Sequence, residues 1–529
     1  MTSVTPQELV VLQESAGQWA LFDIREAGEA DRGHIFGATF LPRRLIEARI
    51  ADLVGDPATP VVMYDEGGPR ATHAAETLKR LGYGDVRILA GGTAAWVAAG
   101  HQLTSGSNVP SKLFGEQVYE REQVPQLPIA SLKAWQERGQ PYVVCDIRTP
   151  DEYAVARIPG AHGAFGVDLA LLAGDLRDRG VPIVVHCAGR TRSIIACQSL
   201  RALGAGDVYA LENGTMGWQV AGLALERGKA RGVLAPSAAS IADGEARTRA
   251  LALSAGAAEV TLDELEAWLA ERAARRSNTS VIDVRQVDAY MAGHVPGAIA
   301  LPGGLAIQRT DEFAPVRAAR TVLIDDGAAR AFLTAYWLRQ FGRPQVFVLK
   351  GGLDAWKASG RAIATGRARS HPAGLAAARA LALFVTPAKL AELAARRGVR
   401  VVDVGTSRDY QSARVPGAQW IPYGWLEERV GAPAPSVDAP LVLTCPNGML
   451  STFAAANLAR ARVANVHVLE GGVAAWSKAG LGVESGWPPD MPAADDLVVP
   501  PYHANLQAMA QYLAWEQKLT AERHAAGKQ

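Results

Sequence analysis

Short apolar runs alternate with longer stretches of helical character along this chain. Pro60-Val61-Val62-Met63-Tyr64 and Pro182-Ile183-Val184-Val185-His186 are apolar at consecutive positions, not at every second one. That pattern predicts strands buried on both faces, and therefore a parallel sheet. Residues 71–81 and 193–203 read as the helices that follow them. Thr5-Pro6-Gln7-Glu8-Leu9 and Thr386-Pro387-Ala388-Lys389-Leu390 place an N-cap hydroxyl before a proline in the first turn, which is a helix-start signal.

The pattern repeats four times. A strand ending in aspartate recurs as LFDIR (Asp23), VCDIR (Asp146), VIDVR (Asp283) and VVDVG (Asp403). A turn follows as HIFGA (Gly37), RIPGA (Gly160), HVPGA (Gly297) and RVPGA (Gly417), always 14 residues after the aspartate. Each copy closes on GGTAAW (Trp96), NGTMGW (Trp218), GGLDAW (Trp356) or GGVAAW (Trp476), 72 or 73 residues after the aspartate. The chain is one α/β unit written four times. The expected domains are 1–103, 127–226, 259–360 and 385–484, each large enough for its own core. Residues 104–126, 227–258 and 361–384 fall where the register is lost and read as linkers, the last partly helical. A tail, 485–529, holds a helix expected from about Asn505 to Arg523. Leu506, Met509, Tyr512, Leu513 and Leu519 lie roughly on one side of it, to dock on the last repeat or on a neighbouring chain.

Composition narrows the picture. Of 529 residues, 49% are hydrophobic and 20% charged, as in a soluble globular protein. A net charge of +1 gives no field that would recruit nucleic acid or an acidic membrane. The N-terminal MTSVTPQELVVLQES has no basic region followed by an apolar core, so no signal peptide is expected, and no apolar run is long enough to span a bilayer. Four cysteines do not make a disulfide framework, which points to a reducing cytoplasm. The ten histidines show no metal-ligand spacing, and no glycine-rich dinucleotide fingerprint follows a strand, so no metal or organic cofactor is implied.

The chemistry concentrates in Val184-Val185-His186-Cys187-Ala188-Gly189-Arg190-Thr191-Arg192-Ser193. A buried strand ends in Cys187, a tight turn follows, and a helix starts near Thr191. At such a corner backbone N–H groups converge and the helix dipole points its positive end. Arg190 and Arg192 add formal charge. The corner is suited to a nucleophilic sulfur with an anion held beside it. His186 precedes the nucleophile and should point to the opposite face. Cys145 lies inside a strand, and Cys197 is ten residues along the next helix, too far from Cys187 for a disulfide.

Together the aspartate strand, the (H/R)-x-P-G-A turn, the strand–Cys–loop–helix corner and the G-G-x-x-A-W closing element resemble the rhodanese-like family of sulfurtransferases. The resemblance covers nearly the whole chain as four tandem repeats. It implies a small parallel sheet with helices on both faces and an active loop at the C-terminal edge of a central strand. It also implies transfer of a sulfane sulfur through a cysteine persulfide. Cys187 is then the nucleophile, with Ala188, Gly189, Arg190, Thr191, Arg192 and Ser193 binding the substrate. A small anionic donor, thiosulfate or an organic persulfide, supplies the sulfur, and cyanide or a thiol accepts it.

The four corners, 41 or 42 residues after each strand aspartate, are not equivalent. The first reads Asp65-Glu66-Gly67-Gly68-Pro69-Arg70 and the third Asp325-Asp326-Gly327-Ala328-Ala329-Arg330. A carboxylate cannot become a persulfide, so both are expected to be inactive. The fourth, Cys445-Pro446-Asn447-Gly448-Met449-Leu450, keeps the cysteine but puts Leu450 where Arg192 stands, and Pro446 removes a loop N–H. Cys445 is a possible second site on a degenerate loop. Two other readings compete. A cysteine phosphatase or arsenate reductase would use Cys-x5-Arg, whereas here Arg192 follows Cys187 after four residues. A non-enzymatic docking scaffold for sulfur carriers would explain why three corners are incomplete. The oligomeric state, the natural donor and the natural acceptor are left open by the sequence.

Overall fold

The computed structural model describes residues 2–521 except 229–231, 369–371, 396–397, 431–439, 490 and 492. Each repeat forms a five-stranded sheet in which every strand pairing is parallel. In the second repeat the strands lie in the order Gln126–Leu127, Val208–Leu211, Ile183–His186, Val143–Asp146, His162–Gly163. The Ile183–His186 strand is central and buried throughout, as its unbroken apolar run predicts. Its register sets His186 beside Asp146, so both strands end at the same sheet edge. The capping boxes at Thr5 and Thr149 each close on a glutamate three residues on.

The repeated signatures have physical causes. The indole N–H of each closing tryptophan donates to a carbonyl six residues later: Trp96 to Gln102, Trp218 to Ala224, Trp356 to Ala362 and Trp476 to Gly482. Gly92, Gly214, Gly352 and Gly472 all have φ between 54 and 64°. A Cβ on any of them would come within 2.1–2.4 Å of the carbonyl oxygen of Asp65, Cys187, Asp325 or Cys445 respectively. The closing element therefore holds the corner loop by direct backbone contact, which only glycine permits. The strand aspartates are buried. Asp23, Asp146 and Asp283 each bind the arginine two residues on in a bidentate pair, and that arginine also reaches a nearby backbone carbonyl. In the fourth repeat Gly405 takes the arginine's place, and the Asp403 carboxylate accepts its backbone N–H at 2.8 Å.

The described chain divides into two compact units that do not follow chain order. One comprises residues 1–107 and 370–498, hence the first and fourth repeats. The other comprises 108–369 and 499–529, hence the second and third repeats with the tail. In the first unit a buried polar network joins two repeats: Arg43 pairs with Glu47 and Glu427, and Tyr423 and Asn457 donate to Glu47. In the second unit one apolar core runs through both repeats, from Val185, Ile194 and Leu200 to Ile307, Leu333 and Trp337.

Two stretches expected as linkers are helices of the second unit. Residues 104–126 contain the Val109–Glu122 helix, and 227–258 the Ala238–Ser254 helix. The first escapes pattern reading because much of its surface is covered: Ser111, Lys112 and Glu116 are as buried as Leu113 and Phe114. The second packs against the Leu169–Asp178 and Ala329–Gln340 helices. The tail helix spans Leu506–Glu516, and residues 522 and 523 of the expected span lie outside the described residues. It docks on the second repeat, not the fourth, through Met509 and Leu513 against Met216.

Trp337 is fully buried between the two repeats of the second unit, and its indole N–H donates to Ser199 Oγ at 2.8 Å. Trp337→Ala is expected to destabilise that unit by about 3–5 kcal/mol, read as a lowered denaturant midpoint. A change below about 1 kcal/mol would show that the two repeats are not one cooperative core.

Candidate active site

Cys187 follows the central strand and is 2% exposed, facing the same core as Ile183 and Val185. The Thr191–Ala202 helix begins four residues later. Cys187 Sγ lies 3.5 Å from Ser193 Oγ, and that hydroxyl donates to the Arg190 carbonyl at 2.8 Å. The loop is pinned from behind, where Thr215 N donates to the Cys187 carbonyl and Met216 N to that of Ala188. Ala188, Gly189, Arg190, Thr191 and Ser193 are buried with the cysteine, and Arg192 is partly exposed. The expected site residues thus come together in one closed loop.

The loop is not the bare basic cradle that its sequence suggests. Arg190 is clamped by Glu116, with Nε 2.8 Å from Oε1 and Nη2 2.7 Å from Oε2. Arg192 is clamped by Glu152, both nitrogens at 2.9 Å. The Thr191 hydroxyl donates to Glu516 Oε1 at 2.6 Å. Three carboxylates from three separate elements therefore meet the three consecutive residues Arg190, Thr191 and Arg192. The Glu152 carboxyl is partly buried, yet Arg192 and the Thr149 backbone N–H outweigh that burial and hold it down to about 2. Bidentate pairs of this kind fix the guanidinium plane as well as its position.

Sequence reading missed all three glutamates. Glu152 carried a partial signal: an acid six residues after the strand aspartate accompanies an arginine five after the corner residue in the first two repeats, whereas the third pairs Ala289 with Arg330 and the fourth Asp409 with Leu450. The first repeat has the same combination, and there Arg70 binds Glu29 with both nitrogens. Glu116 and Glu516 carried none, since they lie on a presumed linker and on a tail.

The other cysteines and His186 occupy quieter places. Burial pushes the Cys145 and Cys197 thiols up to about 12. His186 is fully buried on the face opposite Cys187; burial lowers its ring below the ordinary value against the opposing pull of Asp146, whose Oδ2 is 3.7 Å away.

In the first repeat the carboxylate takes over the hydrogen bonds of the loop. Asp65 Oδ1 accepts from Gly67 N at 2.7 Å and Oδ2 from Ala71 N at 2.9 Å. In the third, Asp325 accepts from Asp326 N and Arg330 N at 2.9 Å each, and Arg330 also binds Asp326 and Asp168. Cys445 retains the cysteine geometry, with Ser451 Oγ and Ser451 N both 3.5 Å from Sγ. Its surroundings differ. Met449 and Leu450 pack into the core, and burial pushes the thiol above its ordinary value. Nearby Asp403, lacking an arginine, is pushed up to about 7 by burial. A side chain at 405 would meet Asp403 Oδ1 at 3.0 Å and Pro446 Cδ at 3.1 Å, so Pro446 and Gly405 go together.

The family model for the rhodanese-like domain matches residues 5–99, 129–221, 261–359 and 386–479. With four copies covering most of its length, the chain belongs to the rhodanese-like family. The crystal structure of a thiosulfate sulfurtransferase from Pseudomonas aeruginosa is similar over 100% of this chain and 98% of that one, with 34% identity and a TM-score of 0.89. A probable adenylyltransferase/sulfurtransferase MoeZ of Mycobacterium tuberculosis is 35% identical over 97 residues, 18% of this chain and 24% of that protein. A probable 3-mercaptopyruvate sulfurtransferase of P. aeruginosa is 30% identical over 113 residues, 19% of this chain and 39% of that protein. The chain thus spans well under half of these two curated relatives. No helix among the described residues is long and apolar enough to cross a membrane.

Glu152 has a folded value near 2 against an ordinary 4.5. Its stabilisation is complete above pH 4.5 and is lost as pH falls towards 2. Glu152→Gln is therefore expected to cost about 1–3 kcal/mol at pH 7, with the gap to wild type closing between pH 5 and 2. Urea unfolding across that range checks it, and a gap that stays constant with pH would place the effect elsewhere.

Proposed function

We propose that this protein is a sulfurtransferase in which Cys187 carries the sulfur as a persulfide. The observation that carries this reading is a cysteine at the C-terminal end of a central parallel strand, in a family of sulfurtransferases, facing the N-terminus of a helix. With thiosulfate, the Cys187 thiolate attacks the outer sulfur. The donor's S–S bond breaks, sulfite leaves with the electron pair, and a Sγ–S bond forms. An organic persulfide would react in the same way, with its thiolate leaving. In the second half-reaction an acceptor, cyanide or a thiolate, attacks the terminal sulfur and Cys187 departs as thiolate. The two steps share one covalent intermediate, so the kinetics are ping-pong.

The backbone N–H groups of residues 188–193 and the helix dipole stabilise the extra negative charge of the persulfide. Arg190 and Arg192, held by Glu116 and Glu152, act as fixed dipolar walls of that loop. The Asp65 and Asp325 corners contribute no sulfur chemistry; each carboxylate fills the loop and accepts its backbone N–H groups. The Cys445 repeat lacks three arginines of the Cys187 repeat, since Gly405, Gly448 and Leu450 stand in for Arg148, Arg190 and Arg192. It is therefore a weak site or none.

Cys187→Ser is expected to abolish thiosulfate:cyanide sulfur transfer, while Cys445→Ser keeps most of it. Intact mass after thiosulfate alone should show one added sulfur on the wild type, lost on adding cyanide and missing in Cys187→Ser. If all three proteins turn over equally, the Cys187 assignment fails; if the wild type neither turns over nor gains sulfur, the enzymatic reading fails and a docking scaffold takes its place.

A further inference from the structure

The tail helix brings a charge to the Cys187 loop that the sulfur-transfer reading does not use. Glu516 is 2% exposed. Its Oε1 accepts from Thr191, but its Oε2 is buried with no hydrogen-bond partner among the described residues. That oxygen would stand 3.4 Å from a Cβ on Gly189, so it faces the loop backbone between Cys187 and Arg190. A buried carboxylate oxygen without a donor is costly, and it is retained where some other group supplies one. The nearby guanidiniums are already committed: Arg190 to Glu116 and Arg192 to Glu152. Lys112 places its ammonium over the rings of Tyr512 and Trp515, on the same helix as Glu516.

We propose that Glu516 determines donor specificity: its unpartnered Oε2 receives the ammonium group of an amine-bearing alkyl persulfide and disfavours a donor that is anionic throughout. The inference rests on Cys187 being the sulfur-accepting nucleophile. Such a donor carries one negative charge on its persulfide and one positive charge on its ammonium, so it enters neutral. Thiosulfate brings two negative charges beside a buried carboxylate, where like charges repel far more than in water. In the loading step Cys187 thiolate attacks the terminal sulfur, the donor's S–S bond breaks and its thiolate leaves with the electron pair. The ammonium stays on Glu516, and no proton moves.

Glu516→Gln separates charge from shape. The amide oxygen still accepts from Thr191, and an N–H replaces the unpartnered Oε2. The second-order rate of sulfur loading on the full-length chain, followed by intact mass, would be measured with cysteamine persulfide and with thiosulfate. The variant is expected to load about tenfold more slowly from cysteamine persulfide and several-fold faster from thiosulfate, with an unchanged melting temperature. Glu516→Asp, which keeps the charge, should keep the preference for the amine donor. If Glu516→Gln changes both rates by the same factor, or neither, the specificity role is overturned while the sulfur-transfer reading stands. If the wild type loads sulfur from neither donor, both fall.

Discussion

Everything at the corner of each repeat follows from a ring of backbone N–H groups that turn inward where the central strand ends. The closing glycine presses against the carbonyl of the corner residue, so the loop cannot open outward to let water satisfy those donors. Something with electron density must sit in the ring. In the first and third repeats a carboxylate does so, with N–H contacts of 2.7–2.9 Å. In the fourth repeat a sulfur sits there at 3.5 Å from one such N–H. The second repeat has the same cysteine and the same serine six residues on. One scaffold thus holds either a carboxylate or a sulfur in its ring, and the residues around the corner differ with it.

That constraint explains the surrounding salt bridges. A buried guanidinium needs a carboxylate, since an unpaired one is costly by several kcal/mol. Around Cys187 each arginine has its own acid, which keeps the loop rigid without leaving a large net positive field. The first repeat shows the same economy: Arg70 is shared among Glu29, Glu66 and Glu428 and lies over the Trp425 ring at 3.7 Å. The fourth repeat solves the problem by removing the loop arginines, and its buried aspartate, Asp403, has no arginine two residues on.

Pairing of repeats out of chain order adds a further layer. In the second unit the corner helix of the second repeat shares its core with the third, so a repeat with aspartate at its corner buttresses the cysteine-bearing one. The Val109–Glu122 helix and the tail helix then supply Glu116 and Glu516. Segments outside the repeat thereby complete the electrostatics of the loop.

The sequence by itself determined the local units. Strand and helix periodicities, the capping threonines, the four corners and the glycines of the closing element are written in consecutive residues, because each depends on contacts within one repeat. The place of Cys187 at the end of a central strand was legible for the same reason, and so were the carboxylates Asp65 and Asp325 at the matching corners. Tertiary structure decided what acts across repeats. Glu116 reaches Arg190 across 74 positions of chain, and Glu516 reaches Thr191 across 325. The helix carrying Glu116 is buried on so many sides that it has no amphipathic stripe to read. The tail helix has such a stripe, but a stripe says only that something covers it. Long-range charge pairing leaves no period in a sequence, so the field around the sulfur became visible only once the chain had folded.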